Sequence, residues 1–394
     1  MPGDSYPKLK VAAVQAEPAY LDREACVDKA CSLIEEAGRN GAKVIALPEA
    51  FIPGHTEWLY FYPGGEAVKR FYRDFFKNSV EVPSPATDRL AQAARRAGAY
   101  VAIGISERVA GQMGSLYNSL LFLGPDGSIL GVHRKLVPTT TERLVWAPGD
   151  GSTLSVYPTP YGEIGGLLCG ENTNSLARFA LLAQGEKIHT AHWPANPTEY
   201  NRAGVEGIDI RIRYHAYEGK VFVISSTAVF GDASIKRLCH TEQARALAIK
   251  GNSVSGIVDP YGKYVGGPLK GDEGIVYADI DMESMIDAKT LHDVVGHYNR
   301  FDVLSLVYQR RQPKPIRFED ASAPGDVRSE LAHAIRQLLQ RVERGDGAAD
   351  TRESALIREA LGFSEQNRCA SLFPAVADGG GPLDDSDLAS PLWR

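Results

Sequence analysis

Short apolar runs and stretches of helical period alternate along roughly the first three hundred residues. Residues 9–16 form an apolar run closed by Pro18, as a buried strand does. Asp22 is placed to cap a helix in which Cys26, Ala30, Leu33 and Ala37 recur at helical spacing, until Gly38 and Gly41 end it. Residues 44–47 give a second strand, stopped by Pro48. A helix is predicted over 88–97 and a strand over 100–107. Residues 119–123 and 128–133, joined by Gly124-Pro125-Asp126-Gly127, read as a hairpin. Further strands fall at 164–168, 188–192, 221–225 and 254–258, with a helix over 176–183 before Gly185. This alternation places the chain in the α/β class, with helices covering sheet faces. The hairpin signal makes the sheet mixed rather than purely parallel.

The pattern changes near residue 311. Gln312-Pro313-Lys314-Pro315 breaks it, and Val327, Leu331, Ile335, Leu338 and Val342 then form the stripe of an amphipathic helix. Residues 375–394 are rich in Gly, Asp, Ser and Pro and are expected to be disordered. Two regions are therefore expected, a domain over 1–310 and a C-terminal extension over 311–394. The net charge is −6 and no Lys/Arg run occurs, which speaks against a nucleic-acid partner. No stretch approaches the ~20 apolar residues of a membrane span. The five cysteines, at 26, 31, 169, 239 and 369, form no CxxC pair, so neither a disulfide framework nor a zinc site is expected. With no secretory signal at the N-terminus, a soluble protein of the reducing cytoplasm is expected.

Three strands end in a chemical group. Val44-Ile45-Ala46-Leu47-Pro48-Glu49 ends in a carboxylate, Gly131-Val132-His133-Arg134-Lys135 in a cation, and Gly165-Gly166-Leu167-Leu168-Cys169 in a thiol. Groups beyond the carboxyl ends of strands tend to line one crevice, so a base, a fixed charge and a nucleophile can meet there. Gly165, Gly166 and Gly170 permit a tight turn around Cys169, and Asn172, Thr173 and Asn174 are good N-cap residues. A helix N-terminus and a nearby lysine would favour the thiolate, the reactive form. Taken singly, each residue has a plainer reading: a buried cysteine, a loop glutamate, a solvated Arg-Lys pair. The three together carry the argument.

Together they resemble the nitrilase superfamily, over roughly residues 8–305. The resemblance rests on Leu47-Pro48-Glu49, His133-Arg134-Lys135-Leu136 and Cys169-Gly170-Glu171-Asn172. Thr141-Glu142-Arg143-Leu144-Val145-Trp146 is similar to the segment after the lysine in true nitrilases, and Glu142 matches a second active-site glutamate. Cys169-Gly170-Glu171-Asn172-Thr173-Asn174 resembles the cysteine motif of bacterial aliphatic nitrilases. Gly170 stands where many nitrilases carry Trp, which would widen the pocket. Gly296-His297-Tyr298-Asn299-Arg300 resembles a C-terminal motif, but Phe301 replaces the usual proline, so His297 is given no role.

The resemblance implies a four-layer αββα sandwich, homo-oligomers from dimers to spirals, and no cofactor or metal. It implies hydrolysis of a small nitrile, aliphatic by bias, to acid and ammonia. Cys169 would add to the nitrile carbon to give a thioimidate, Glu49 would move protons, and Lys135 would stabilise developing charge, an effect worth roughly 3–4 kcal/mol. Glu142 would steady Lys135 or orient substrate. Trp58, Asn172, His192 and Trp193 are candidate substrate-binding residues. His189 and His192, three apart in a strand, point to opposite faces and make no metal pair. The competing readings are an amidase or carbamoylase using the same residues, a papain-like hydrolase lacking a supported histidine, and a non-catalytic scaffold assembling through its tail.

Overall fold

The computed structural model describes residues 3–62, 64–199 and 204–313. The amphipathic and disordered segments expected beyond 313 lie outside these residues. Along the chain run β1 (Lys8–Gln15), α1 (Arg23–Arg39), β2 (Ala42–Ala46), α2 (Trp58–Phe61), α3 (Glu66–Asn78), α4 (Pro85–Ala97), β3 (Tyr100–Arg108), β4 (Leu116–Leu123), β5 (Ile129–Arg134) and β6 (Glu163–Leu168). There follow α5 (Ser175–Ala183), β7 (Glu186–Trp193), α6 (Gly204–Gly219), β8 (Phe222–Thr227), α7 (Asp232–Leu238), α8 (Glu242–Leu247), β9 (Val254–Val258), β10 (Tyr264–Lys270), β11 (Gly274–Asp281) and α9 (Ser284–Lys289).

The strands form two mixed sheets, ordered β11-β1-β2-β3-β4-β5 and β10-β9-β8-β7-β6. Period-2 alternation divides each strand's side chains between two cores. From the first sheet, Ala12, Val14, Ile45, Val101 and Ile103 pack against Val27, Ile34 and Leu90 of α1 and α4. Their neighbours Val11, Ala13, Val44, Ala46 and Ala102 turn the other way, into a core shared with the second sheet. The outer face of the second sheet is covered by α6, through Ile208, Ile212 and Ala216. The layers are thus helix, sheet, sheet, helix, as expected. Each fully buried aliphatic side chain contributes about 1.5–3 kcal/mol.

Asp22 caps α1 as predicted, its carboxylate accepting from the Ala25 N–H at 3.0 Å. The next predicted helix, α4, begins three residues earlier than expected. Ser84 and Thr87 exchange hydrogen bonds as a capping box, with Pro85 in the first turn. The hairpin forms as β4 and β5, antiparallel. β11 pairs with β1 and closes one edge of the first sheet. It was not among the expected strands, although Val276, Ala278 and Ile280 are buried in period-2 alternation. Among the described residues no helix is long and apolar enough to cross a membrane.

Candidate active site

The loop after β2 places Glu49. It crosses β3 at Gly104, so closely that a Cβ there would lie 2.3 Å from the Ala50 nitrogen. The Gly104 N–H donates to the Pro48 carbonyl at 3.1 Å, and the Glu49 N–H reaches the Trp193 carbonyl of the second sheet at 3.4 Å. Lys135 follows β5, with its N–H still donating to the Asn118 carbonyl of β4 at 2.8 Å. Its side chain is fully buried, and Nζ donates to Glu49 Oε1 and Glu142 Oε2, both at 2.8 Å. Arg134, its sequence neighbour, turns away to pair with Glu107.

One ammonium between two buried carboxylates splits their proton affinities. Burial raises Glu49, the attraction of Lys135 opposes this, and the charge of Glu142 adds to the rise, so Glu49 sits above the usual carboxylate range. Burial also presses on Glu142, but Lys135 and His55 overcome it and hold Glu142 down to about 2. Burial works against the Lys135 ammonium too, yet the two carboxylates keep it charged far above its ordinary value. Glu142 therefore stays ionised, and Glu49 is the carboxyl suited to take up and return a proton. Glu49 Oε1 also accepts from Asn118 Nδ2 at 2.7 Å, while Oε2 is buried with no hydrogen-bond partner.

Cys169 ends β6 at the first position of a 3-10 turn, Cys169–Thr173. Its φ of +44° is rare for a residue with a side chain and marks a held, strained corner. The corner is tied down by Glu171, which accepts from the Leu136 N–H at 2.9 Å and the Leu168 N–H at 3.2 Å and pairs with His133 Nε2 at 3.0 Å. The sequence led us to expect a thiolate stabilised by a helix N-terminus and a lysine. The structure corrects this. The helix proper, α5, starts only at Ser175, capped by Asn174, and Lys135 is already neutralised by two carboxylates. Burial, then the charge of Glu49, push the thiol up to about 12, against the weaker pull of Lys135. Cys169 rests as a thiol and needs a base. Glu49, whose charge acts on that thiol, has the proton affinity for the task.

The carbon-nitrogen hydrolase family pattern matches residues 10–290. The chain belongs to the carbon-nitrogen hydrolase family. Relatives include a protein named nitrilase from Bacillus sp. (strain OxB-1), 40% identical over 82% of this chain and 94% of its own. Another is an aliphatic nitrilase from Rhodococcus rhodochrous, 38% identical over 78% of this chain and 84% of its own. Among solved structures, Saccharomyces cerevisiae Nit3, a member of branch 10 of the nitrilase superfamily, superposes with a TM-score of 0.58 at 21% identity. It covers 74% of this chain and 96% of its own. At that identity the likeness speaks for the fold.

The remaining candidates of this carbon-nitrogen hydrolase fare differently. Asn172, expected to bind substrate, has another task. Its amide donates to the carbonyls of Leu167 at 3.1 Å and Cys169 at 3.2 Å, and its oxygen meets His189 Nε2 at 2.9 Å. It braces the nucleophile's turn. The indole N–H of Trp193 is taken by Ser225, and Arg211 lies over its ring. His192 donates from Nδ1 to the Leu47 carbonyl at 2.5 Å. Burial holds it neutral, with its pKa down to about 3, and its Nε2 has no hydrogen-bond partner. Trp58 is buried against Phe71 and forms one wall of a groove of about 770 Å³, with Tyr72, Phe76, Leu144 and Val145. Gly170 lies against Thr139, where a Cβ would come within 3.0 Å of Thr139 Oγ1.

Sequence reasoning missed Asn118, His55 and Glu57. Asn118 is a lone amide inside the apolar strand Leu116–Leu123, a signal that was available. His55 and Glu57 lie in the loop after Glu49, and only folding brings them to Glu142. His189 and His192 do face opposite ways, but His189 meets Glu186 and His215. Two groups have metal-ligand spacing among the described residues: Glu49, His55 and Glu142, and Glu186, His189 and His215. In the first, the Lys135 ammonium already bridges the two carboxylates. In the second, both ring nitrogens of His189 are engaged.

Proposed function

We propose that this carbon-nitrogen hydrolase converts a small nitrile, aliphatic by preference, to the carboxylic acid and ammonia. One observation carries the reading: the buried Lys135 ammonium bridges Glu49 and Glu142 at 2.8 Å each, with the Cys169 thiol close enough to feel all three charges, in a chain whose relatives are named nitrilases. Glu49 takes the proton of Cys169 as the sulfur adds to the nitrile carbon, and returns it to the nitrogen, giving a thioimidate. Water then adds, its proton passing through Glu49. The C–N bond breaks, ammonia leaves, and a thioester remains. A second water cleaves the C–S bond, releasing the acid and restoring the thiol. Lys135 stabilises the negative charge that develops, and Glu142 keeps Lys135 charged and in place. His192 and Trp58 are proposed as walls of the substrate site.

We further read the protein as a cytoplasmic homo-oligomer. Exposed Leu176, Ile210 and Tyr214 on α5 and α6 offer an apolar surface for self-association, and four described cysteines are free thiols. The test is ammonia release, with product identification, from matched nitriles and amides by wild type and Cys169→Ala. Nitrile turnover to acid, abolished in the variant, is expected. Turnover of amides alone would move the protein to an amidase reading, and turnover of neither by a folded protein would leave a scaffold.

A further inference from the structure

Behind Glu142 the charges continue inward. Glu142 uses Oε2 for Lys135 Nζ and for the Thr139 N–H, both at 2.8 Å. Its other oxygen, Oε1, lies 3.3 Å from His55 Nε2. On the far side of the imidazole, Nδ1 is 3.7 Å from Glu57 Oε1. His55 is buried, with its ring edge-on to Trp146 at 5.0 Å between centroids. Glu57 and Glu142 flank it, Glu49 lies beyond, and Tyr20 stands near Glu57. The result is a buried row of alternating sign: Glu57, His55, Glu142, Lys135, Glu49. Without His55, Glu142, Lys135 and Glu49 sum to −1. With a proton on the imidazole, the charge of those four groups is zero.

We propose that His55 is a positioning residue for the reaction: by donating to Oε1 of Glu142 it fixes the carboxylate whose other oxygen holds the Lys135 ammonium beside Glu49. The role follows from the geometry. A carboxylate held on one oxygen alone can swing. One held on both presents Lys135 at a set place, and that place is where charge must be stabilised. Glu57 faces the other ring nitrogen, and burial pushes its own carboxyl up to about 7, so it supplies a counter-charge only above that value. Burial works against the imidazolium, but Glu57, Glu142 and Glu49 together raise His55 above its ordinary value. The charge of the imidazolium is therefore present below that raised value and is lost as pH rises through it, while the neutral ring protonated at Nε2 still donates to Glu142. This inference rests on the hydrolase reading of Glu49, Lys135 and Cys169, and not on the choice between nitrile and amide.

The test compares wild type, His55→Leu, His55→Gln and Glu57→Gln with a nitrile and its matching amide across pH, alongside thermal melting. His55→Leu is expected to lower kcat by about tenfold to a hundredfold, as loss of an outer partner does elsewhere, with KM little changed. His55→Gln, which keeps an N–H donor, should recover most of the rate and lose the alkaline limb that belongs to the imidazole. Glu57→Gln should move that limb to lower pH. Equal pH profiles and rates in wild type, His55→Gln and Glu57→Gln would overturn the proposal, even where His55→Leu fails to fold. Wild type turning over amides only would overturn the nitrile reading and leave the His55 comparison legible.

Discussion

Two buried carboxylate clusters are built from nearly the same parts. In front, on the loops after β2 and β5, are Glu49, Glu142, Lys135 and His55. Behind β7 are Glu186, His189 and His215. In the rear cluster both oxygens of Glu186 are partnered, Oε1 by His189 Nδ1 at 2.8 Å and Oε2 by His215 Nε2 at 3.3 Å. Burial presses on it, yet the two histidines hold it down to about 2. In the front cluster Glu49 keeps a free Oε2 and a raised proton affinity. A carboxylate whose lone pairs are all used is a brace. One that is buried with a lone pair to spare is a reagent. Asn172 ties the rear cluster to the Cys169 turn, its oxygen meeting His189 and its amide donating to the Cys169 carbonyl.

The two glutamates are expected to respond oppositely to the same substitution. Glu49→Gln is expected to lower kcat by roughly a thousandfold, within the range of general acid–base effects, while the melting temperature stays near wild type. Glu186→Gln is expected to do the reverse. Removing one partner from a buried charged network costs about 3–5 kcal/mol, a fall on the order of 10 °C, with kcat of the folded enzyme falling less than tenfold. An Glu186→Gln enzyme that melts normally but is inactive would erase the distinction.

Asn172→Ala probes the link between them. It strips the partners from two backbone carbonyls and His189, costing about 1–3 kcal/mol, and should lower kcat more than it changes KM. The smallest effect is in the pH dependence of melting. His215 is held down to about 4, chiefly by burial, from 6.5, and Glu186 down to about 2 from 4.5. Both folded forms prefer the deprotonated state, so their contributions are complete above 6.5 and 4.5 and are lost as pH falls through these windows. Glu186→Gln should lack the lower window, so its melting curve converges on wild type between about pH 4.5 and 2.

The contrast also marks where the sequence is legible. Glu49, Lys135 and Cys169 each follow an apolar strand, and a polar group at the end of such a run stands out. Strands β1 to β9, the Asp22 cap and helices α1, α4 and α5 followed from the same periodicity, whereas β10, β11, α2, α3 and α6 to α9 did not. The rear cluster did not, because Glu186 and His189 sit within a strand and His215 within α6, where nothing local pairs them. The sequence assigns Gly165 to a tight turn around Cys169. It makes room for Glu186, since a Cβ there would fall 2.1 Å from Oε1. His55 was missed for the same reason, since Glu142 lies 87 residues from it along the chain, and Glu57 enters the row only through His55.

The resting state of Cys169 has one more consequence. Peroxides and alkylating agents attack thiolates far faster than thiols, and cysteines held ionised are the ones that oxidise first. A thiol that burial pushes up to about 12 is shielded at rest. The same burial that obliges this hydrolase to carry a base in its site makes its nucleophile slow to spoil.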